Sequence, residues 1–322
     1  MDWLFIADPI AGFQIKKDST YAMMQAAEAA GHRLHVAEPR DLAVEGAQVW
    51  VTAAGLSLQP LPIGAQAPKS PVWYALADSQ SRKLSSFDAV LMRKDPPFDL
   101  EYLYATLLLE QAAREGARVY NRPQALREHN EKLAILEFPA FIADTLVSSN
   151  PAKLRQFVHK HQRTVFKLLD GMGGASIFQA RSDDPNLSVI LETMARFGQR
   201  TVMAQAYIPE IVEGDKRVLL VGGEVVPYAL ARIPQPGEAR GNLAAGGRAE
   251  ARPLSAADWR IASALAPLLH ARGLLLVGLD IIGAYLTEIN VTSPTCFREI
   301  MDQTGFDVAG LFVRKIEEAC RS

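Results

Sequence analysis

Cysteine is nearly absent from this sequence: Cys296 and Cys320 are the only two in 322 residues. Neither belongs to a CxxC pair or to a Cys/His spacing that suits zinc. A disulfide scaffold and a zinc module are both unsupported, and a reducing compartment is expected. Excess positive charge is missing too. Lys plus Arg number 34 and Asp plus Glu 36, a formal net charge of −2, so no global basic field exists for nucleic acid or an anionic membrane. The longest charge-free stretch, Gly46 to Pro68, is interrupted by Gln48, Gln59, Pro60, Pro62 and Gln66 and is no membrane span. The chain opens with an acid, Asp2, and has no lysine before Lys16, unlike a signal peptide. A soluble, cytoplasmic protein is expected. The six histidines form no ligand spacing and face no obvious nucleophile.

What is present is an ordinary globular composition, 49% hydrophobic and 22% charged, with enough apolar residues for a sizeable core. At about 150 residues per domain the length allows two domains, or three small ones. The first 122 residues alternate strand and helix: a strand at 3–7, a helix at 19–30 closed by Gly31, strands at 33–37 and 89–92, a helix at 100–113, a strand at 118–120. That order predicts a mainly parallel, helix-covered sheet. The stretch 41–70 has room for a hairpin. Arg122-Pro123 marks a boundary. Residues 123–205 read as a compact α+β unit containing a Gly-rich loop at 171–174, between strands at 164–169 and 175–179. Residues 206–322 hold a strand pair turning at Gly222-Gly223, a Gly/Pro-rich loop at 234–249, a helix at 255–272, a second hairpin at 274–291 and a terminal helix. The expected class is α/β (α+β) in three parts.

Three clusters carry chemistry. Lys167 lies on a strand ahead of Gly171, Gly173 and Gly174. A glycine turn lets several N–H groups approach an anion, and the lysine adds a point charge. No Gly-Lys-Ser/Thr follows, so this is not a Walker A loop; a plain glycine hairpin is equally consistent. Second, a three-residue turn at 283–285 sets Asp280 opposite Glu288, with Asn290 on the same face. Two adjacent carboxylates on an apolar hairpin need a partner, and oxygen donors favour Mg²⁺ or Mn²⁺ over zinc. Third, Gly222-Gly223 as a two-residue turn pairs Val221 with Glu224, hence Arg217 with Tyr228. Arg217, Arg232 and Asp215 then project from one face, where two arginines suit a phosphate or carboxylate. Surface salt bridging is the commoner fate of such residues. Arg240 and Arg248 flank a loop with too little apolar content to pack itself, as in a lid over an anion. Arg93 and Lys94 follow a strand end, where ligands bind in such sheets, a position suited to a substrate carboxylate; a loop made rigid by Pro96-Pro97 is equally consistent. Cys296, near a helix start, reads as a buried structural thiol.

The strings LMRKDPPFD, LDGMGGASIF, EGDKRVL, ARIPQ, RGNLAAGGR, GLDIIG and TEINVTSPTC resemble the bacterial glutathione synthetases of the ATP-grasp superfamily, over about residues 8–299. The likeness is least at 44–84. The resemblance implies an ATP-grasp fold with an N-terminal domain, a central lid and a C-terminal domain. It implies that Lys132 and Lys167 contact ATP phosphates, that Gln205, Tyr207 and Ile208 bind adenine, and that Asp215 lies near the ribose. Asp280, Glu288 and Asn290 become metal ligands, Arg217 and Arg232 stabilise the transferring phosphoryl group, and 240–248 shields the intermediate. Arg93, Arg240 and Asn290 become substrate contacts. The implied reaction joins γ-glutamylcysteine to glycine through an acyl phosphate, in a homotetramer. The rivals are another ATP-grasp carboxylate–amine ligase, acting on D-alanine or glutamate, and a nucleotide-binding module without turnover.

Overall fold

The structure is a computed structural model that describes residues 1–59, 72–171, 177–235 and 247–321. The described residues build three sheets. The first contains β1 (Asp2–Ile6), β2 (Arg33–Ala37), β3 (Leu42–Glu45), β4 (Gln48–Leu58), β5 (Tyr74–Leu76), β6 (Gln80–Lys83), β7 (Ala89–Met92) and β8 (Val119–Tyr120). Its centre, β2-β1-β7-β8, is parallel, as the strand–helix alternation predicts. Helices α1 (Ser19–Ala29) and α2 (Leu100–Arg114) provide the crossovers. Each starts on an aspartate cap: Asp18 accepts from Tyr21 N and Asp99 from Tyr102 N, satisfying orphan amides of the first turn. The hairpin foreseen in 41–70 is β3–β4, turning at Gly46-Ala47 and pairing antiparallel; residues 60–71 lie outside the described residues.

Helix α3 (Pro123–Glu128) leads to the second sheet, in the order β11-β10-β12-β9. Its strands are β9 (Thr145–Ser148), β10 (Arg163–Leu168), β11 (Phe178–Arg181) and β12 (Val202–Ala206), covered by α4 (Pro151–His161) and α5 (Leu187–Ala195). The strand expected at 175–179 runs instead from Phe178, and Ala175, Ser176, Gly173 and Gly174 lie outside the described residues.

The third sheet, β15-β14-β13-β16-β17, is antiparallel throughout. It comprises β13 (Asp215–Val221), β14 (Glu224–Ile233), β15 (Arg248–Pro253), β16 (Leu276–Ile282) and β17 (Tyr285–Asn290). Helices α6 (Ala256–Ala271), α7 (Phe297–Thr304) and α8 (Val308–Arg321) pack with it. The loop expected through Ala249 ends sooner. The alternating Arg248-Ala-Glu-Ala-Arg252 continues as a strand along β14, with Ile233 opposite Arg248. Arg240 and the rest of 236–246 lie outside the described residues.

Two hydrophobic clusters run through both outer sheets. One joins Leu4, Ile6 and Val90 to Val218, Leu279 and Ile289; the other joins Trp3, Phe5 and Tyr21 to Leu219, Val221 and Phe312. The middle sheet has a core of its own, with Leu154, Phe166, Leu191 and Val202 among its members.

Candidate active site

The site forms where the two inner strands of the middle sheet, β10 and β12, face the third sheet. A cleft of about 310 Å³ is lined there by Lys132, Lys167, Gln205, Asp215, Arg217, Arg232, Asp280 and Glu288, among others. Ligand pockets of this size are commonly largely preformed.

Both hairpins differ from the expected geometry in register. Val221 does oppose Glu224 across the Gly222-Gly223 turn. A bulge then places three residues of β14, 226–228, against the single Leu219, so Arg217 opposes Leu230 rather than Tyr228, and Asp215 opposes Arg232. The excess is two residues, an even number, so Asp215, Arg217 and Arg232 still share one face. In the second hairpin the turn is two residues, Gly283-Ala284, with Ile282 opposite Tyr285. The extra residue is Thr287, bulged from β17, after which Asp280 opposes Glu288 and Gly278 opposes Asn290. Gly283 takes a φ of +58°, easily reached without a Cβ.

Asp280 is the hub. Arg217 donates to it twice, from Nε at 2.5 Å and from Nη2 at 3.0 Å, and Arg232 Nη2 lies 2.9 Å from its second oxygen. Burial alone raises a carboxyl pKa; here the two guanidinium groups outweigh it and hold Asp280 well below the usual carboxylate range. Arg232 also donates to Asp215 Oδ2 at 2.6 Å. Burial opposes the charged guanidinium, and Asp215 and Asp280 more than offset it. Asp215 has the reverse balance: burial pushes it up to about 6 against the pull of Arg232, and the charge of Asp280 adds to the rise. Its Oδ1 is buried with no hydrogen-bond partner among the described residues, an acceptor that a donor on a bound molecule would satisfy.

Glu288 receives the lysines. Lys132 Nζ lies 3.8 Å and Lys167 Nζ 3.7 Å from Glu288 Oε1, close enough to pair charges and too far to hydrogen-bond. The lysines are only 5% and 7% exposed. Lys132 Nζ donates to Gly171 O at 2.6 Å and Lys167 Nζ to Thr287 O at 3.3 Å, the carbonyl that the bulge displaces. Asn290 Nδ2 donates to Gly278 O at 3.3 Å, leaving its carbonyl oxygen as an acceptor. The oxygen atoms of Asp280, Glu288 and Asn290 thus suit a hard cation, although both Asp280 oxygens already accept from arginine.

The expected adenine segment begins in the last residues of β12 and runs past its end. Gln205 is buried and donates to Thr145 Oγ1, Arg163 stacks 3.5 Å above the Tyr207 ring, and Ile208 is buried. All three line the cleft. Arg93 does not. It is buried, donating from Nε to Thr20 Oγ1 at 3.1 Å and from Nη2 to Pro294 O at 3.0 Å, and Pro294 adjoins the wall residues Ser293 and Thr295. Cys296 is buried, as expected, and burial pushes its thiol pKa up. Sequence reasoning missed Glu131, Asp95, Thr292 and Ser293, which also line the cleft. Glu131 immediately precedes Lys132, the residue that the resemblance singles out.

A model of the prokaryotic glutathione synthetase N-terminal domain matches residues 1–127, and one of the prokaryotic glutathione synthetase ATP-grasp domain matches 131–305. The glutathione synthetase of Ralstonia nicotianae is 54% identical over 98% of this chain and 95% of its own length. That of Nitrosomonas europaea is 54% identical over 99% of this chain and 98% of its own. Among solved structures, D-cycloserine synthetase DcsG superposes with a TM-score of 0.69 at 16% identity, covering 99% of both chains. The ATP-grasp ligase PsnB, complexed with minimal precursor, Mg and ADP, gives 0.62 at 16% identity, over 100% of this chain and 98% of its own. Those two likenesses speak to fold alone, an ATP-grasp fold. Domain models and relatives together establish that the chain belongs to the prokaryotic glutathione synthetase family and is an ATP-dependent ligase.

Proposed function

We propose that this enzyme joins the cysteinyl carboxylate of γ-glutamylcysteine to the amine of glycine, consuming ATP. One observation carries the reading: two buried lysines converge on Glu288 and two arginines on Asp280, in one cleft. A carboxylate is a poor electrophile. Its oxygen attacks the γ-phosphorus, the bond to ADP breaks, and an acyl phosphate forms. The glycine nitrogen then attacks the acyl carbon, the carbon–oxygen bond to phosphate breaks, and the amine loses its proton. No side-chain nucleophile is required.

Lys132 and Lys167 neutralise phosphate oxygens, and Arg217 and Arg232 meet the charge of the transferring group. Asp215 Oδ1 accepts from the ribose, and Gln205, Tyr207 and Ile208 enclose the base. Asp280, Glu288 and Asn290 are the residues to hold Mg²⁺ or Mn²⁺, which when bound draws charge from the phosphates. Gly171, Gly173 and Gly174 offer backbone amides to the nucleotide. The resemblance assigns Arg240, outside the described residues, to keeping water from the acyl phosphate, and Arg93 orients the substrate side. Residues 1–122, 123–205 and 206–322 act as substrate, lid and ATP-grasp domains. A homotetramer is expected from the family resemblance, supported by an exposed apolar stripe of Leu100, Tyr104 and Leu107 on α2, and light scattering reads its mass.

The test is ADP release with ATP, Mg²⁺, γ-glutamylcysteine and glycine, each omitted in turn, with mass detection of product. ADP and glutathione appearing only in the full mixture support the reading. ATP binding without turnover would discard it.

A further inference from the structure

We infer that Glu131 is a positioning residue, pinning the chain segment after β17 so that the substrate side of the cleft stays in register with the carboxylate hairpin. Glu131 is half-buried on the cleft wall. One of its oxygens, Oε1, accepts from three donors: Val291 N at 3.0 Å, Thr292 N at 3.1 Å and Thr292 Oγ1 at 2.8 Å. Its backbone oxygen accepts from Ile289 N at 2.8 Å. Glu131 therefore serves the backbone on both sides of Asn290. The pinned segment then supplies Ser293, whose hydroxyl donates to Asp95, and Pro294, whose carbonyl accepts from Arg93. Asp95 and Arg93 both belong to the loop after β7.

The two neighbours of Glu131 reach the other way. Asn130 Nδ2 donates to Leu169 O at 3.1 Å, and its Oδ1 accepts from Lys132 N and Leu133 N. Lys132 Nζ donates to Gly171 O. Asn130 and Lys132 thus hold Leu169 and Gly171, just beyond β10, while Glu131 holds the end of β17 across the cleft. Three consecutive residues tie the two halves of the site together, Lys132 reaching Gly171 on one side and Glu288 on the other.

An ionised carboxylate satisfies several donors better than a neutral amide, because each bond is charge-assisted. The inference rests on the ligase reading for its kinetic test and on geometry alone for its second test. Glu131→Gln is expected to raise the KM for γ-glutamylcysteine, or lower kcat, by about tenfold or more, the range for weakened bonds to a charged group. The KM for ATP should stay within about twofold of wild type. Asn130→Ala should show the opposite split, raising the KM for ATP. Thr292→Val removes one donor and should act like Glu131→Gln, less strongly. The double variant should fall short of the sum, as residues sharing one network do. Equal effects of Glu131→Gln and Asn130→Ala on both KM values, or strict additivity with Thr292→Val, would overturn the assignment.

Amide exchange of the substrate-free protein gives a readout independent of the reaction. Exchange at Val291 and Thr292 should quicken in Glu131→Gln while that of the β13–β14 pair is unchanged. Unaltered protection there sinks the inference even where ligation succeeds. Quickened exchange in a protein that makes no glutathione upholds the pin and discards the substrate assignment.

Discussion

Among the described residues Asp280 faces two guanidinium groups and Asp215 one, and this difference sets the two carboxylates on opposite sides of the ordinary range. Arg232 bridges them. Removing it strips Asp280 of one counter-charge and Asp215 of the direct one it has among the described residues. Arg232→Ala is therefore expected to cut kcat by about a hundredfold or more, as loss of a transition-state donor does, with a much smaller effect on ATP binding. Initial rates across an ATP series check this, and a change confined to the KM for ATP would refute the assigned role. Asp215 makes a prediction in pH. Its folded pKa, pushed up to about 6, exceeds the ordinary 3.8, so between those values the folded state keeps a proton that the unfolded chain has released. Its contribution to stability therefore falls as pH rises through that window and is constant above it. Asp215→Asn cannot titrate. The melting temperature of nucleotide-free wild type should decline relative to this variant from about pH 4 to pH 6 and run parallel above. A difference independent of pH would count against a raised pKa. The face shared by Asp280, Glu288 and Asn290 was legible from the sequence, because side-chain alternation needs only residue spacing. The grip of Arg217 and Arg232 on Asp280 was not, since β13 and β16 become neighbours only through pairing across 63 residues of separation.

Turns were easier to place than bulges. The diglycine at 222–223 and the glycine at 283 announce hairpins, but no residue type announces the three-against-one bulge opposite Leu219 or the displaced Thr287. Expected faces survived in the first case because an excess of two leaves the alternation intact. In the second, the sequence reading put one extra residue in the turn and the protein puts it in the strand, so Asp280 meets Glu288 either way. The site residue that the pattern hid most completely is Gly278 on β16. A Cβ there would come within 2.7 Å of Arg217 Cδ and 3.2 Å of Pro294 Cβ. The strand has no side chain at that point because the arginine lies across it. Gly278→Ala should keep the fold and lower kcat by about tenfold or more by displacing Arg217; steady-state rates with a circular-dichroism melt separate the two effects. Helix α6 offers a contrast. Ser255 Oγ accepts from Asp258 N, and Asp258 Oδ2 accepts from Ser255 N, a reciprocal cap. Ser255→Ala should cost about 1 kcal/mol of stability, seen as a lower melting temperature, with kcat/KM unaltered.

The whole molecule has two kinds of interior. The outer sheets share clusters that run from Leu4 to Ile289 and from Trp3 to Phe312, whereas the helix-covered face of the middle sheet is filled by its own set around Phe166 and Leu191, with Met203 of β12 joining the first shared cluster. A unit with a small separate core opens at lower free energy than one spliced into a larger core. Amide exchange of Phe166, Ala204 and Val202 should therefore be faster than that of Val218 and Leu279 in the free protein. It should slow on adding Mg²⁺ and a non-hydrolysable ATP analogue, which binds only the folded site. Uniform exchange across all three sheets would contradict this. The alternation of strand and helix predicted the sheets one at a time; which of them share an interior depends on long-range contacts that no window of sequence contains. One such contact is Asn121, whose amide donates to Leu276 O at 2.8 Å and Val291 O at 2.9 Å while its oxygen accepts from Leu276 N at 2.8 Å. A side chain from the first segment thus completes the ladder of the third sheet at β16. For anyone building hybrid ligases by exchanging front halves between relatives, the junction must keep an asparagine at this position. A donor half with another residue there leaves one amide and two carbonyls of the recipient half unpaired.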